Sequence, residues 1–364
     1  MQNNMEENVV SLPKRTMNAI VNDPEKTAEA IKLVYVDDKQ KGITRVKSGT
    51  SFKYLLDDKE VKDKEVLKRI ASLVIPPAWE NVWICTLAKG HLQATGLDAM
   101  KRKQYKYHPL WSVLRNYTKF FRLHHFGKTL PDIRKQLDKD LALPGLPVEK
   151  VLAAIVSLME RTGIRIGNNF YEKLYGSFGL TTLKDKHVSI SGNTVKFSFR
   201  GKKGVEHDIS IQNKKLSAIV KKCRDIPGKE LFQYYNEDGT HHSIDSGMVN
   251  EYIRRLSGAD FTAKDFRTWA GTVQTFMAFK ELGNFETAGE AKKKIVEALD
   301  IVAKHLGNTR TVCKKYYVHP VLLDLYENNK LDKYITRLNG ATNASNNNEL
   351  TVEEKVVMEI LEGK

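Results

Sequence analysis

The sequence predicts an α+β protein: a small β-rich N-terminal domain, then a larger, mainly helical domain that holds a three-stranded β-meander. Three observations predict this. Short strand-like runs crowd the first third of the chain. Three alternating runs follow one another between residues 187 and 211. Helical spacing of apolar residues dominates the remainder. The expected organisation is a flexible segment over 1–22, the β-rich domain over 23–112, the larger domain over 113–337, a linker over 338–350 and a short helix over 351–364.

Residues 1–22 are polar, with little to bury. Asp23-Pro24 reads as a helix N-cap followed by Pro at the first helical position, opening a short helix through Ala30. LVYVDD, ITRVKSGTSFKYLL, VWICTLA and HLQATG then read as strand-like runs separated by Gly and Asp-Asp turns. The β-rich part is expected to end near Trp111. Pro144 to Pro147 opens a strong helix, with Val148, Val151, Leu152, Ile155 and Leu158 on one face and Gly163 at its end. HVSISG, VKFSFRG and VEHDISI alternate and are separated by Ser-Gly-Asn and Gly-Lys-Lys-Gly, the pattern of a meander. Thr262 to Asp265 resembles a capping box for a helix to about Leu282. A long helix covers Ala288 to His305, with Gly307 suited to its C′ position. LNGATNASNNNEL has linker composition, and Val352 to Leu361 is amphipathic.

Across 364 residues, Lys and Arg outnumber Asp and Glu by 59 to 44, a net charge of +15. That excess favours a polyanionic partner, nucleic acid first among them. A solvated basic surface is the ordinary alternative. The three cysteines are scattered without zinc spacing and cannot all pair, which points to a reducing, cytoplasmic setting. No apolar run reaches the ~18 residues of a membrane span, and the first residues lack the order of a signal peptide.

Nucleotide and metal motifs are absent. No GxxxxGK[ST] occurs, so Gly201-Lys-Lys-Gly204 is not an ATP phosphate loop. There is no HExxH and no ladder of carboxylates, so neither a metal nor a nucleotide cofactor is expected. Chemistry would have to run on Arg, Lys, His, Asn and Tyr. That set suits attack on a phosphodiester. Guanidinium forks can hold the non-bridging oxygens, an ammonium can protonate a poor alkoxide leaving group, and a phenol can be the nucleophile.

Candidates fall in four places. Arg165 lies in RTGIRIGN, past a helix end, where Gly163 and Gly167 permit close backbone approach. Lys202 lies on the turn between two strands. Arg267 lies in AKDFRTWAGT, with Lys264 one turn earlier on the same helical face. The fourth is the Tyr316/Tyr317 pair in LGNTRTVCKKYYVHP. Each has an ordinary reading: a surface arginine, a solvated turn lysine, a guanidinium stacked among Phe266, Trp269 and Phe276, and a half-buried core tyrosine. Residue types alone do not choose between Tyr316 and Tyr317.

The chain order Arg, hairpin Lys, Arg, Tyr resembles the type IB DNA topoisomerases, in the small bacterial and poxvirus-like form. GITRV, IPPAWENVWIC, GHLQATGLDAMKRKQYKYHPLW, GIRIGN, YGSFGLTTLKDKHV, FRGKKG, FRTWAGT and LGNTRTVCKKYYVHP carry the resemblance, which covers about Leu33 to Lys333. It implies two domains closing round duplex DNA as a clamp, and relaxation of supercoils through a 3′-phosphotyrosyl intermediate without ATP or metal. It makes Arg165 and Arg267 the transition-state arginines, Lys202 the general acid and Tyr317 the nucleophile, since Val318-His319-Pro320 follows it. Asn308 stands where viral relatives carry a His phosphate donor. His305, one turn upstream, is expected to serve the helix C-terminus instead. Arg310 stands where relatives often have Pro.

In RKQYKYHPLW, Arg102, Gln104, Tyr105 and Tyr107 match DNA-contacting family positions, as does Tyr171. Lys264 is counted with that set. Gln can read a base edge and Tyr can contact sugar, phosphate or a base methyl. An edge strand with mixed faces is the ordinary reading of the same stretch. The resemblance further implies a monomer acting on the bacterial nucleoid. Tyrosine recombinases share the catalytic set, but usually have His where Lys264 stands, and the N-terminal motifs do not fit them. An architectural DNA-binding protein would explain the charge but not the Arg-Lys-Arg-Tyr set.

Overall fold

The computed structural model describes residues 23–49, 51–99, 101, 103–236, 238–340 and 348–363. The segment expected to be flexible, 1–22, and the middle of the expected linker, 341–347, lie outside them. The architecture is α+β, with a sheet region first and a helical core after it. Two compact units divide between Arg122 and Leu123.

In the first unit, α1 (Pro24–Ala30) starts where Asp23 accepts the N–H groups of Glu25 and Lys26, with Pro24 filling a position that needs no donor. A six-stranded antiparallel sheet follows: β1 (Ile43–Ser48), β2 (Ser51–Leu56), β3 (Lys59–Glu60), β4 (Glu80–Ile84), β5 (Leu92–Leu97) and β6 (Lys103–Tyr107), in the order β3-β2-β1-β4-β5-β6. LVYVDD forms no strand there; Val34 makes an isolated bridge with Gly90. One helix, α2 (Lys64–Ser72), caps on Asp63 and buries Ile70 among Ile43, Val82, Ile84 and Ala94. β6 is an edge strand, and its register on β5 pairs Gln104 with Gly96 and Tyr105 with Thr95.

A single helix, α3 (Pro109–Leu141), runs through the boundary between the units. The expected boundary at 112/113 falls in its first turns.

In the second unit, α4 (Val148–Thr162) is the central helix, buried from Val151 to Met159, and it ends on left-handed Gly163. After α5 (Asn169–Tyr175) comes the meander β7 (Val188–Ser191), β8 (Thr194–Arg200), β9 (Glu206–Gln212), antiparallel in sequence order. Val195, Phe197 and Phe199 of β8 face the core, and Lys196, Ser198 and Arg200 face out. Then follow α6 (Lys214–Arg224), a short hairpin of β10 (Gln233–Tyr235) and β11 (His241–Ser243), and α7 (Ser246–Ser257). The capping box places α8 at Ala263–Leu282, where Asp265 accepts the N–H of Thr262. α9 (Ala288–Leu306) ends on Gly307, left-handed at φ 58°. α10 (Arg310–Tyr316), α11 (Pro320–Glu327), α12 (Asp332–Gly340) and α13 (Val352–Glu362) complete the unit. Thus α12 carries helical structure three residues past 337.

α13 returns to the core through one carboxylate. Glu354 is buried, accepts from both terminal nitrogens of Arg134 (2.7 and 2.9 Å) and from Trp269 Nε1 (2.9 Å), and closes the cap on Thr351. Trp269 lies on α8, so the last helix is fastened to the helix that carries Arg267.

Candidate active site

Arg267 projects from α8 and is 5% exposed, and no carboxylate among the described residues pairs with it. Its guanidinium donates instead to the carbonyl of Gly163, at the end of α4, and to that of Leu306, the last residue of α9, at 2.7 Å. Helix C-termini leave such carbonyls unpaired and carry partial negative charge. Each bond from a charged donor contributes about 1.5–3 kcal/mol, which offsets much of the cost of burying the ion. Burial still holds the guanidinium below its usual range, with the Tyr317 phenol opposing that.

Arg165 comes from the segment that leaves α4. That segment is fixed by backbone bonds from Leu180 to the Arg165 carbonyl (2.9 Å) and from Thr181 to that of Ile166 (2.6 Å). Gly179 packs so closely there that a Cβ would meet the Arg165 carbonyl at 2.6 Å. The Arg165 guanidinium donates to Gly307 O (3.0 Å) and to Asn308 Oδ1 (2.6 Å). Burial, then the neighbouring Arg267, push it down to about 10. Two like charges are thus held together, and the oxygens that accept from them among the described residues are neutral.

Two buried donors in this cluster, Arg267 Nε and Asn308 Nδ2, have no acceptor among the described residues. An anionic oxygen is the acceptor such donors suit best. Asn308 therefore has its oxygen committed to Arg165 and its N–H₂ still to donate.

The tyrosines separate clearly. The Arg267 guanidinium carbon is 5.2 Å from the Tyr317 ring centroid, whereas Tyr316 lies 5.7 Å from the Lys315 ammonium. Tyr317 caps α10, its N–H donating to Cys313 O at 2.9 Å. Its backbone rests on Gly271 of α8, where a Cβ would meet the Tyr317 carbonyl at 2.6 Å. Thr272 adds to this seat, accepting the N–H of His319 at 3.3 Å. Arg310 starts α10 and pairs with Asp300 of α9 through both its Nε and a terminal nitrogen (2.7 and 2.6 Å). An ion pair thereby anchors the helix entry without a proline.

Lys202 lies on the β8–β9 turn, exposed, its ammonium 5.9 Å from the Tyr171 ring. Lys202, Arg165 and Tyr171 line one cleft of about 500 Å³, together with Tyr175, Arg200 and Lys203. Tyr171 and Tyr175 stack along α5 with centroids 6.1 Å apart. The cleft is therefore basic and aromatic, able to hold a phosphate backbone and stack a sugar or base. Lys264 is exposed in the first turn of α8. His305 does not join Arg165 and Asn308; it sits in the last turn of α9 beside Gly163, its pKa lowered by burial and then by Arg267.

In the first unit, Tyr105 and Tyr107 share one face of β6, stacked at 5.9 Å, and Lys103 approaches Tyr105. Gln104 Nε2 donates to Asp98 at 2.9 Å, so reading a base edge would require that amide to turn. Arg102 lies outside the described residues. Sequence reasoning missed Tyr175, Arg200, Lys203 and His207. The i, i+4 spacing of Tyr171 and Tyr175 was the available signal for the first.

Among the described residues no cluster of three or more His, Cys, Asp or Glu side chains could hold a metal ion, and no helix is long and apolar enough to cross a membrane.

Two family models match the chain: "Eukaryotic DNA topoisomerase I, catalytic core" over residues 101–342 and "Bacterial DNA topoisomerase IB, N-terminal domain" over residues 51–98. Among curated proteins, the chain is 33% identical over 297 residues to DNA topoisomerase 1B of Acanthamoeba polyphaga mimivirus, covering 79% of this chain and 88% of the relative. It is 25% identical over 253 residues to DNA topoisomerase 1B of vaccinia virus strain Copenhagen, covering 68% and 76%. DNA topoisomerase I of monkeypox virus matches with the same identity and coverage.

Proposed function

Because this chain belongs to the type IB DNA topoisomerases and is an enzyme of that class, we propose that it relaxes supercoiled duplex DNA by single-strand transesterification at Tyr317. The Tyr317 oxygen attacks a backbone phosphorus and loses its proton to solvent. The P–O5′ bond breaks, leaving a 3′-phosphotyrosyl ester and a 5′-oxygen that Lys202 protonates. Arg165 and Arg267 hold the non-bridging oxygens, where charge gathers, and Asn308 Nδ2 donates beside them. The cleaved strand swivels, and its 5′-hydroxyl attacks back and frees the tyrosine. The ester conserves the bond energy, so the cycle draws on neither ATP nor a metal ion. Torsion drives rotation, so supercoils of either sign relax.

The observation that carries this reading is the placing of Tyr317, and not Tyr316, against a buried guanidinium that has no carboxylate partner among the described residues. Gln104, Tyr105, Tyr107, Arg102, Tyr171 and Lys264 are the proposed DNA contacts, and engagement of one duplex by both units is the clamp this reading requires. The proposed catalytic groups all lie on one chain and in its second unit, so a monomer suffices. Its working place is then wherever duplex DNA is under torsion, the nucleoid in a bacterium.

The test is relaxation of a supercoiled plasmid in EDTA without ATP, followed by denaturation with detergent during turnover. Relaxed topoisomers and a protein–DNA adduct at the 3′ end are expected. A strict need for ATP or magnesium, or an adduct at the 5′ end, overturns the proposal.

A further inference from the structure

His207 packs against two glycines of this site, and the mechanism gives it no task. It stands on β9 opposite Phe199 of β8, and the two rings stack at 4.9 Å with planes 17° apart. The inward positions further along β9 are aliphatic, Ile209 and Ile211; at the end that approaches the cleft the series changes to an imidazole. Two glycines hold the ring's edge. A Cβ on Gly201 would meet His207 Cδ2 and Nε2 at 2.6 Å, and one on Gly307 would meet Cε1 at 2.4 Å and Nε2 at 3.0 Å. A real Cβ does not come within 2.6 Å of a non-bonded ring atom, so the ring takes this place because both positions lack side chains.

Those glycines belong to different parts of the machinery. Gly201 opens the turn that carries Lys202, and its N–H closes that turn on Val205 O at 2.7 Å. Gly307 precedes Asn308, and its carbonyl accepts from Arg165. We infer that His207 is a positioning residue, its imidazole wedged between Gly201 and Gly307 so that the lysine turn is held at a fixed separation from the Arg165–Asn308 segment. The inference rests on the proposed role of Lys202 as general acid. Burial, then Arg165 and Arg267, lower the His207 pKa. The wedge is therefore a neutral ring, adding no third positive charge beside the two guanidinium groups.

A spacer of this kind acts on the lysine, and that separates it from a residue that only stabilises the fold. Single-turnover cleavage is measured on ordinary DNA and on DNA with sulfur replacing the bridging 5′-oxygen at the cleavage site. A thiol has a pKa near 8.5, so a thiolate departs without an acid. The variants, in the full chain, are His207→Ala, Gly201→Ala, their combination, Lys202→Ala and Arg165→Ala. Displacement by about 1 Å can cost on the order of 10²-fold in rate. Accordingly, His207→Ala is expected to slow ordinary cleavage at least ~10-fold and to recover on the sulfur substrate as Lys202→Ala does, while Arg165→Ala recovers little. Gly201 has φ −92°, which alanine tolerates, so Gly201→Ala disturbs the ring and not its own backbone. It should show the same sulfur-rescued loss, and the double variant should be no worse than the more impaired single one.

If Lys202→Ala is rescued and His207→Ala is not, the inference falls while the general acid stands. If sulfur rescues neither, the general-acid assignment falls and the inference with it. Additive losses in the double variant, or unchanged cleavage by His207→Ala, also overturn it.

Discussion

The guanidinium of Arg267 stands 5.2 Å from the ring centroid of Tyr317, and both are built on the same stretch of α8, through the Arg267 side chain and through the close seat of Tyr317 on Gly271. Tyr316 has no place in that pairing. Tyr317→Phe is therefore expected to abolish relaxation and the covalent adduct while leaving DNA affinity unchanged, and Tyr316→Phe to retain most activity. Adduct mapping on both variants decides; the assignment is falsified if the adduct survives in Tyr317→Phe and vanishes in Tyr316→Phe.

Removal of either arginine should show in rate more than in affinity, because the charge they meet develops during the reaction. Arg165→Ala or Arg267→Ala is expected to slow single-turnover cleavage by about 10²-fold or more, the loss typical of one oxyanion donor. Lysine should restore little at 267, since one ammonium cannot span the Gly163 and Leu306 carbonyls as the planar fork does. A variant that binds weakly but cleaves normally at saturation would mark its arginine as a docking group.

Binding should weaken steeply with salt. Each phosphate neutralised lowers the log–log slope by roughly 0.9 for B-DNA, and the net charge of +15 allows several. An anisotropy titration between low and moderate salt measures the slope, and a slope near zero would exclude a phosphate-tracking interface.

Fastening of the last helix makes a prediction about stability. Burial alone would raise the Glu354 carboxyl, but Arg134 overcomes this and holds it below the usual range. Glu354→Ala strands the Trp269 N–H and half of the Arg134 fork, a loss of about 3 kcal/mol for a broken buried pair. In a unit of this size that is a fall of roughly 6–12 °C in Tm. Glu354→Gln keeps the shape and should lose less. An unchanged melting curve for Glu354→Ala would show that α13 is held by its apolar face alone.

Acid should destabilise the second unit before most carboxylates titrate. Burial lowers the pKa of His187 and His207 from an ordinary value of 6.5, with nearby cations adding to the shift. Each therefore binds more protons unfolded than folded in the window below 6.5, so stability falls as pH falls through it. Denaturant midpoints at successive pH values should decline below about pH 6.5, and His207→Gln should make the decline shallower.

Much of this was legible in the sequence because it depends on neighbours in the chain. The Asp23 cap, the Thr262–Asp265 box and the terminal glycines 163 and 307 are local, and each appears where the residue types predict. Alternation along β8 likewise states which side chains enter the core. α3 is hidden in the sequence because Gly127 and Pro131 interrupt it and look like punctuation; the helix contains both. β10 and β11 have three residues each, too few to show a period. Arg165, Lys202, Arg267 and Tyr317 are proposed as site residues through their order along a family pattern. His207 is not: a lone histidine in an alternating strand looks like an outward polar residue, and only packing against two glycines from distant segments reveals its position.

Gly271 lies four residues after Arg267 on α8, and the Tyr317 carbonyl and Cβ sit 2.6 and 3.1 Å from where its own Cβ would be. One helix is thereby a ruler for the proposed reaction. At 1.5 Å per residue, the mark for the guanidinium and the mark for the tyrosine backbone are about 6 Å apart along a rod that resists stretching. If α8 shifts, both partners travel with it, and their spacing outlasts motions that would part groups mounted on separate elements. The same economy leaves the gauge vulnerable at a single carbon: a methyl at 271 would pry the tyrosine from its mark without altering any atom of the proposed chemistry.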